Sequence, residues 1–161
     1  MNNSKNLYLD LEGTLIRGFN NPSILHKDIV IDFIKQYQPT NIYVFSYAIS
    51  SEEDKEVFKK TLESLLSKEF NIQFNGVISI DDMIRTISQY DINCPQNFSL
   101  FPNYYSKKTA FMKYCSSLKN SDNHLLLDDS IGFTEEKIHN IETLPIQLLE
   151  EKYLKKYKRK M

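Results

Sequence analysis

Asp10 directly follows the apolar run Leu7-Tyr8-Leu9 and opens the segment Asp10-Leu11-Glu12-Gly13-Thr14-Leu15. A carboxylate in that position projects from the tip of a strand. Gly13 permits a sharp turn after it, and the Thr14 hydroxyl can lock that turn. A carboxylate held there can attack phosphorus and form an acyl-phosphate. Glu12, two residues on, can protonate the leaving oxygen and then activate water. Because a carboxylate and a phosphate repel each other, this chemistry calls for Mg2+. Its oxygen ligands would come from Asp10, a nearby backbone carbonyl, and Asp128 or Asp129. Those two acids end another apolar run, Leu125-Leu126-Leu127.

Other residues can complete such a site. Ser46 ends the apolar run Tyr43-Val44-Phe45 and can hold a phosphoryl oxygen. A lysine at a helix start, Lys108 or Lys107, can neutralise the remaining charge. The two lysines lie about 100° apart around a helix, and Lys108 is taken as the contact. Thr14 and Arg17 join Ser46 and Lys108 as substrate-binding candidates. The competing reading of Arg17 is an ordinary surface arginine.

The elements that must position these residues follow from periodicity. Strands are expected at 6–11, 41–46, 76–80 and 123–127, with a fifth around 143–146. Leu25, Ile29, Phe33 and Tyr37 recur four apart and predict one helix face. Ser51 followed by Glu52, Glu53 and Asp54 predicts a helix start. That helix should continue through Val57, Phe58, Leu62, Leu65 and Leu66. Asp81 is expected to cap a helix carrying Met83, Ile84 and Ile87. Residues 91–105 read as irregular, and a helix should begin at Ser106 or Lys107. A short helix is expected near 135–140, and a polar, finally basic helical tail from about residue 147. Alternating strands and helices indicate a parallel sheet covered on both faces. In such sheets ligands sit beyond the carboxyl ends of the strands, where Asp10, Ser46, Asp128 and Asp129 fall.

In order and context, these four pieces resemble the haloacid dehalogenase (HAD) superfamily. Asp10-Leu11-Glu12-Gly13-Thr14-Leu15 resembles its first motif, and Val44-Phe45-Ser46 its second. Lys108-Thr109-Ala110-Phe111-Met112 resembles the third, and Leu125-Leu126-Leu127-Asp128-Asp129-Ser130 the fourth. The resemblance spans roughly residues 7–133. It implies a three-layer α/β/α, Rossmann-like fold with a parallel sheet of about five strands in the order 5-4-1-2-3. It also implies Asp10 as nucleophile and metal ligand, with the carbonyl of Glu12 and Asp128 or Asp129 also on the metal, and Ser46 and Lys108 on the phosphate. The chain departs at Glu12, where most phosphatases of the superfamily have Asp. Glutamate is one methylene longer, about 1.5 Å. The enolase-phosphatase branch looks similar at this position.

Only one helix fits between Leu15 and Asn41, and residues 50–106 are filled by ordinary elements, so no large cap domain is expected. An open site suits a large phosphorylated substrate, or is covered by a second subunit in a homo-oligomer. Phe98, Phe101, Tyr104 and Tyr105 can form an aromatic wall for a base or sugar, or pack their loop onto the sheet.

Composition sets the outer limits. The 161 residues suit one domain and are 41% hydrophobic and 25% charged. A net charge of -1 gives no overall bias towards nucleic acid or membranes. The tail cations Lys152, Lys155, Lys156, Lys158, Arg159 and Lys160 are the one strong charge cluster, weak support for nucleic acid. No apolar run approaches the roughly 20 residues of a membrane span. Cys94 and Cys115 stand alone, which suits a reducing, cytoplasmic setting. His26, His124 and His139 lack zinc-ligand spacing. The expected function is a Mg2+-dependent phosphatase acting on a phosphomonoester, such as a nucleotide or a nucleic-acid end. The alternative is a protein that binds or sequesters a phosphorylated ligand, such as a nucleotide signal, without cleaving it.

Overall fold

The computed structural model describes residues 3–160, with side chains to residue 156. It is an α/β structure around a six-stranded sheet in the order β3-β2-β1-β4-β6-β5. The central strands are β1 (Lys5–Leu9), β2 (Asn41–Phe45), β3 (Gly76–Ile78), β4 (Asn123–Asp128) and β6 (Ile141–Pro145). Each pairs with its neighbour in parallel, while β5 (Glu136–Ile138) runs antiparallel to β6.

Side-chain alternation on the strands divides the core in two. Leu7 and Leu9 of β1, with Leu125 and Leu127 of β4, face one cluster that includes Val30, Phe58, Leu66 and Phe70. Tyr8 and Leu126 face the other, with Phe45, Met83, Phe111 and Phe101. The first face is covered by α1 (Lys27–Tyr37), α2 (Glu52–Thr61), α3 (Glu63–Phe70) and α7 (Ile146–Lys160). The second is covered by α4 (Ile80–Ile87), the single turn α5 (Phe101–Tyr104) and α6 (Lys107–Ser117). Both faces of β1 and β4 are therefore buried, as their nearly unbroken apolar runs require.

Four local expectations are corrected. The sheet order differs from 5-4-1-2-3 by an additional edge strand, β5, which replaces the helix expected near residues 135–140. His139 takes a left-handed backbone (φ 55) in the two-residue link between β5 and β6, and such short links suit hairpins. The helix after Ser51 is interrupted at Leu62, giving α2 and α3. There the Thr61 hydroxyl donates to the Val57 carbonyl at 2.6 Å, a contact that bends helices. Ser79, not Asp81, caps α4. Its hydroxyl accepts the Asp82 N–H while the Asp82 carboxylate accepts the Ser79 N–H, a reciprocal capping box. Of the basic tail, Lys158, Arg159 and Lys160 lie outside the described side chains. Lys152 and Lys156 lie 3.9 Å from Glu135 and Asp32. Among the described residues, no helix is long and apolar enough to cross a membrane.

Candidate active site

Three adjacent strands deliver three polar residues to one end of the sheet. Asp10 follows β1, with its N–H donating to the Leu127 carbonyl at 3.2 Å. Ser46 follows β2, and Asp128 closes β4. Past Asp10 the chain doubles back. The N–H groups of Thr14, Leu15 and Ile16 all donate to the Leu11 carbonyl. Gly13 makes this turn with φ 80. A Cβ added there would lie 1.9 Å from Asp129 Oδ2, so the glycine is also what lets the Asp129 carboxylate settle over the turn.

A lysine reaches these acids from the opposite side. Ser106 caps α6, its hydroxyl accepting the Thr109 N–H at 3.2 Å. That fixes the phase of the helix. Lys107, its first residue, turns back onto the sheet and is buried. Its Nζ donates to Asp10 Oδ1 and lies 2.6 Å from Asp128 Oδ2. Among the described residues, no donor other than this ammonium reaches that buried oxygen. Asp128 Oδ1 accepts the N–H and the hydroxyl of Ser130, each at 2.8 Å. Lys108 instead pairs with Glu136 near the surface. Of the two candidate lysines, the lysine that meets the acids is therefore corrected from Lys108 to Lys107, one residue and about a quarter turn away.

Asp10, Ser46, Lys107 and Asp129 line an open cleft of about 790 Å³, with Glu12, Arg17, Tyr47, Ala48 and Ser130 around them, and Asp128 lies buried behind it. Arg17 is exposed on that lining. Thr14 is not part of it. Its side chain is fully buried, and its hydroxyl donates to Asp10 Oδ2 at 3.3 Å. This corrects its expected substrate role to orienting the nucleophile candidate. Ser46 Oγ accepts the Ala48 N–H at 3.1 Å and borders the cleft. Of the two readings of the aromatics in residues 93–105, a ligand wall or packing onto the sheet, the structure favours packing for Phe101 and Tyr105. Phe101 and Tyr105 pack into the core, Phe98 and Tyr104 stay exposed, and this stretch contributes Pro102 to the cleft.

Electrostatics sets this cluster apart. One oxygen each from Asp10, Asp128 and Asp129 lies within 4.8 Å of the others. Glu12's carboxylate is exposed and outside this cluster. Burial raises the Asp10 carboxyl, Lys107 pulls it down and Asp128 pushes it up, leaving it at about 7. Burial likewise raises Asp129, which a hydrogen bond with Asp10 opposes and the charge of Asp128 reinforces. Three clustered carboxylates with one buried ammonium hold too little positive charge. Three carboxylates that can each offer an oxygen to one point, an all-oxygen donor set, fit a hard divalent cation such as Mg2+. Asp10, Asp128 and Asp129 would hold it.

Sequence reasoning missed several supports. His26 Nδ1 lies 2.9 Å from the Thr14 carbonyl, and its Nε2 is 3.6 Å from Glu150 of α7. Gln147, in the first turn of α7, donates to the Asp129 carbonyl at 2.7 Å. Tyr47 lines the cleft and donates to the Tyr105 carbonyl at 2.9 Å. No motif marks His26 or Gln147, whose partners are main-chain groups. Tyr47 was signalled by its place beside a strand-end serine. No family model, curated protein or solved structure matches the chain.

Proposed function

We propose that the protein is a HAD-type phosphatase that hydrolyses a phosphomonoester through an aspartyl-phosphate on Asp10. The observation that carries this reading is the convergence of Asp10, Ser46, Lys107 and Asp129 on one open cleft, with Asp128 buried directly behind Asp10 and Lys107. They come from three strand ends and one helix start.

Lys107 and Ser46 bind the phosphoryl oxygens, and Thr14 holds the Asp10 carboxylate in line. Asp10 oxygen forms a bond to phosphorus as the ester P–O bond breaks, and Glu12 gives its proton to the departing oxygen. Glu12 then takes a proton from water as the water oxygen bonds to phosphorus. The bond from phosphorus to Asp10 breaks and inorganic phosphate leaves. Mg2+, held by Asp10, Asp128 and Asp129 with the backbone carbonyl of Glu12, would neutralise the charge of the phosphoryl group against the acids. The purified protein should hydrolyse an aryl phosphate only with Mg2+. Asp10→Asn should lower the rate by about 1000-fold or more. Turnover by that variant at the parental rate overturns the reading.

A second reading, binding of a phosphorylated ligand without cleavage, is favoured by the longer side chain at Glu12, which is exposed rather than fixed in the cluster. Glu12→Asp separates the two. A gain in hydrolysis supports a binding protein built on an enzyme's frame, and a loss shows that Glu12 is the fitted acid.

A further inference from the structure

Beside the cleft lies an apolar groove of about 140 Å³, lined by Phe19, Ile49, Val57, Phe58 and Leu62, with Ala48 common to both. Ile49, Phe58 and Leu62 are buried and form its floor. Phe19 and Val57 stand 40% and 57% exposed along it. Single exposed apolar side chains are ordinary. Two that flank one groove, which shares Ala48 with the polar cleft, are a shaped surface. About 150 Å³ accommodates one six-membered aromatic ring, and the open side leaves room for a second.

Two chain segments tie the groove to the cleft at the same spacing. Arg17 lines the cleft and Phe19 the groove. Ser46 lines the cleft and Ala48 both. Two residues span at most about 7 Å, a separation of the order bridged by one ribose. The groove also holds one carboxylate. Asp54 accepts the Ser50 N–H on Oδ2 at 2.9 Å, and its Oδ1 is free, among the described residues, to accept from a ligand. A planar apolar ring with an N–H at its edge matches this lining.

We propose that the groove is a nucleobase subsite and that the phosphate ester is a nucleotide. Its base lies against Phe19 and Phe58, with an N–H on Asp54. The subsite rests on the phosphate reading of the cleft, since the two share Ala48.

Three probes, titrated calorimetrically with Mg2+ present, test it: the non-hydrolysable methylenephosphonate analogue of AMP, methylphosphonate, and adenosine. The analogue should bind the full chain about tenfold or more tighter than methylphosphonate, and Phe19→Ala should remove about tenfold while leaving methylphosphonate unchanged. Asp54→Ala should weaken the analogue and adenosine alike. Phe19 is exposed, so its loss leaves folding intact, and it is the deciding variant. Equal affinity for analogue and methylphosphonate overturns the subsite. So does a dimer that Phe19→Ala dissociates, because the groove would then be a contact between copies. If neither phosphonate binds, the phosphate reading fails instead, and adenosine decides the groove. Phe19-dependent adenosine binding supports it, and no adenosine binding overturns it.

Discussion

The two ends of the sheet bury polar groups in opposite ways. At the amino end, His124 is almost wholly buried and both ring nitrogens are engaged. Tyr8 Oη donates to Nδ1 at 2.9 Å, and Nε2 donates to Asn120 Oδ1 at 2.9 Å. Asn41 donates to Asn6 Oδ1 at 2.9 Å beside them. The groups of this network are hydrogen-bonded, with the Asp122 carboxylate at its edge. At the carboxyl end, three carboxylates cluster with one buried ammonium, and Gln147 Oε1 is buried without a hydrogen-bond partner among the described residues. Hydrogen-bonded groups fix strand pairing. Uncompensated charge costs stability, and it persists where a ligand supplies the missing partner. The same two strands, β1 and β4, carry both arrangements, so the contrast comes from the side chains and not from the backbone.

The comparison can be broken at several points. Removing the buried cation should have the largest effect. Lys107→Met should destabilise the fold by about 3–5 kcal/mol, read as a shift in the urea midpoint, and added Mg2+ should recover part of it. Lys108→Met should cost less than about 1 kcal/mol, because its ion pair lies in solvent. Equal costs would remove the distinction between the lysines. At the other end, Tyr8→Phe should cost about 1–3 kcal/mol by leaving His124 Nδ1 without a donor, with the proposed phosphatase activity per folded molecule unchanged. A catalytic defect in Tyr8→Phe would show that the two ends are coupled.

The smallest effect is a pH dependence. Burial lowers the His124 pKa below its ordinary 6.5, with Asp122 opposing it. The unfolded chain therefore binds this proton more readily than the folded one. The contribution of His124 to stability is complete above about pH 6.5 and is lost as the pH falls from there through the lowered folded value. Urea midpoints measured between pH 7.5 and 5 should fall less steeply in His124→Asn than in the parent. Parallel slopes would show that the imidazole is not held neutral.

Much of the carboxyl end could be read from the chain because each key residue directly follows an apolar run. Asp10, Ser46 and Asp128 needed only strand ends and a parallel sheet. The lysine did not follow in the same way. Lys107 and Lys108 are identical in type, and the phase of α6 depends on which neighbour caps it. The β5–β6 hairpin was hidden because Glu136-Lys137-Ile138 has no alternation of its own and is set by pairing with β6. The break at Leu62 depends on one hydroxyl turning back along the helix. The groove at Phe19 joins side chains roughly 40 residues apart in the sequence, and no local pattern announces such a meeting.

The outer strands have a consequence for assembly. Both β3 and β5 are only three residues long, and β5 carries the exposed Lys137. A foreign strand laid along either margin would find too few open amide and carbonyl groups to form a ladder. Extended segments, whether from another copy of the chain or from a client peptide, gain little by joining this sheet. That disfavours fibre-like stacking through the sheet margins.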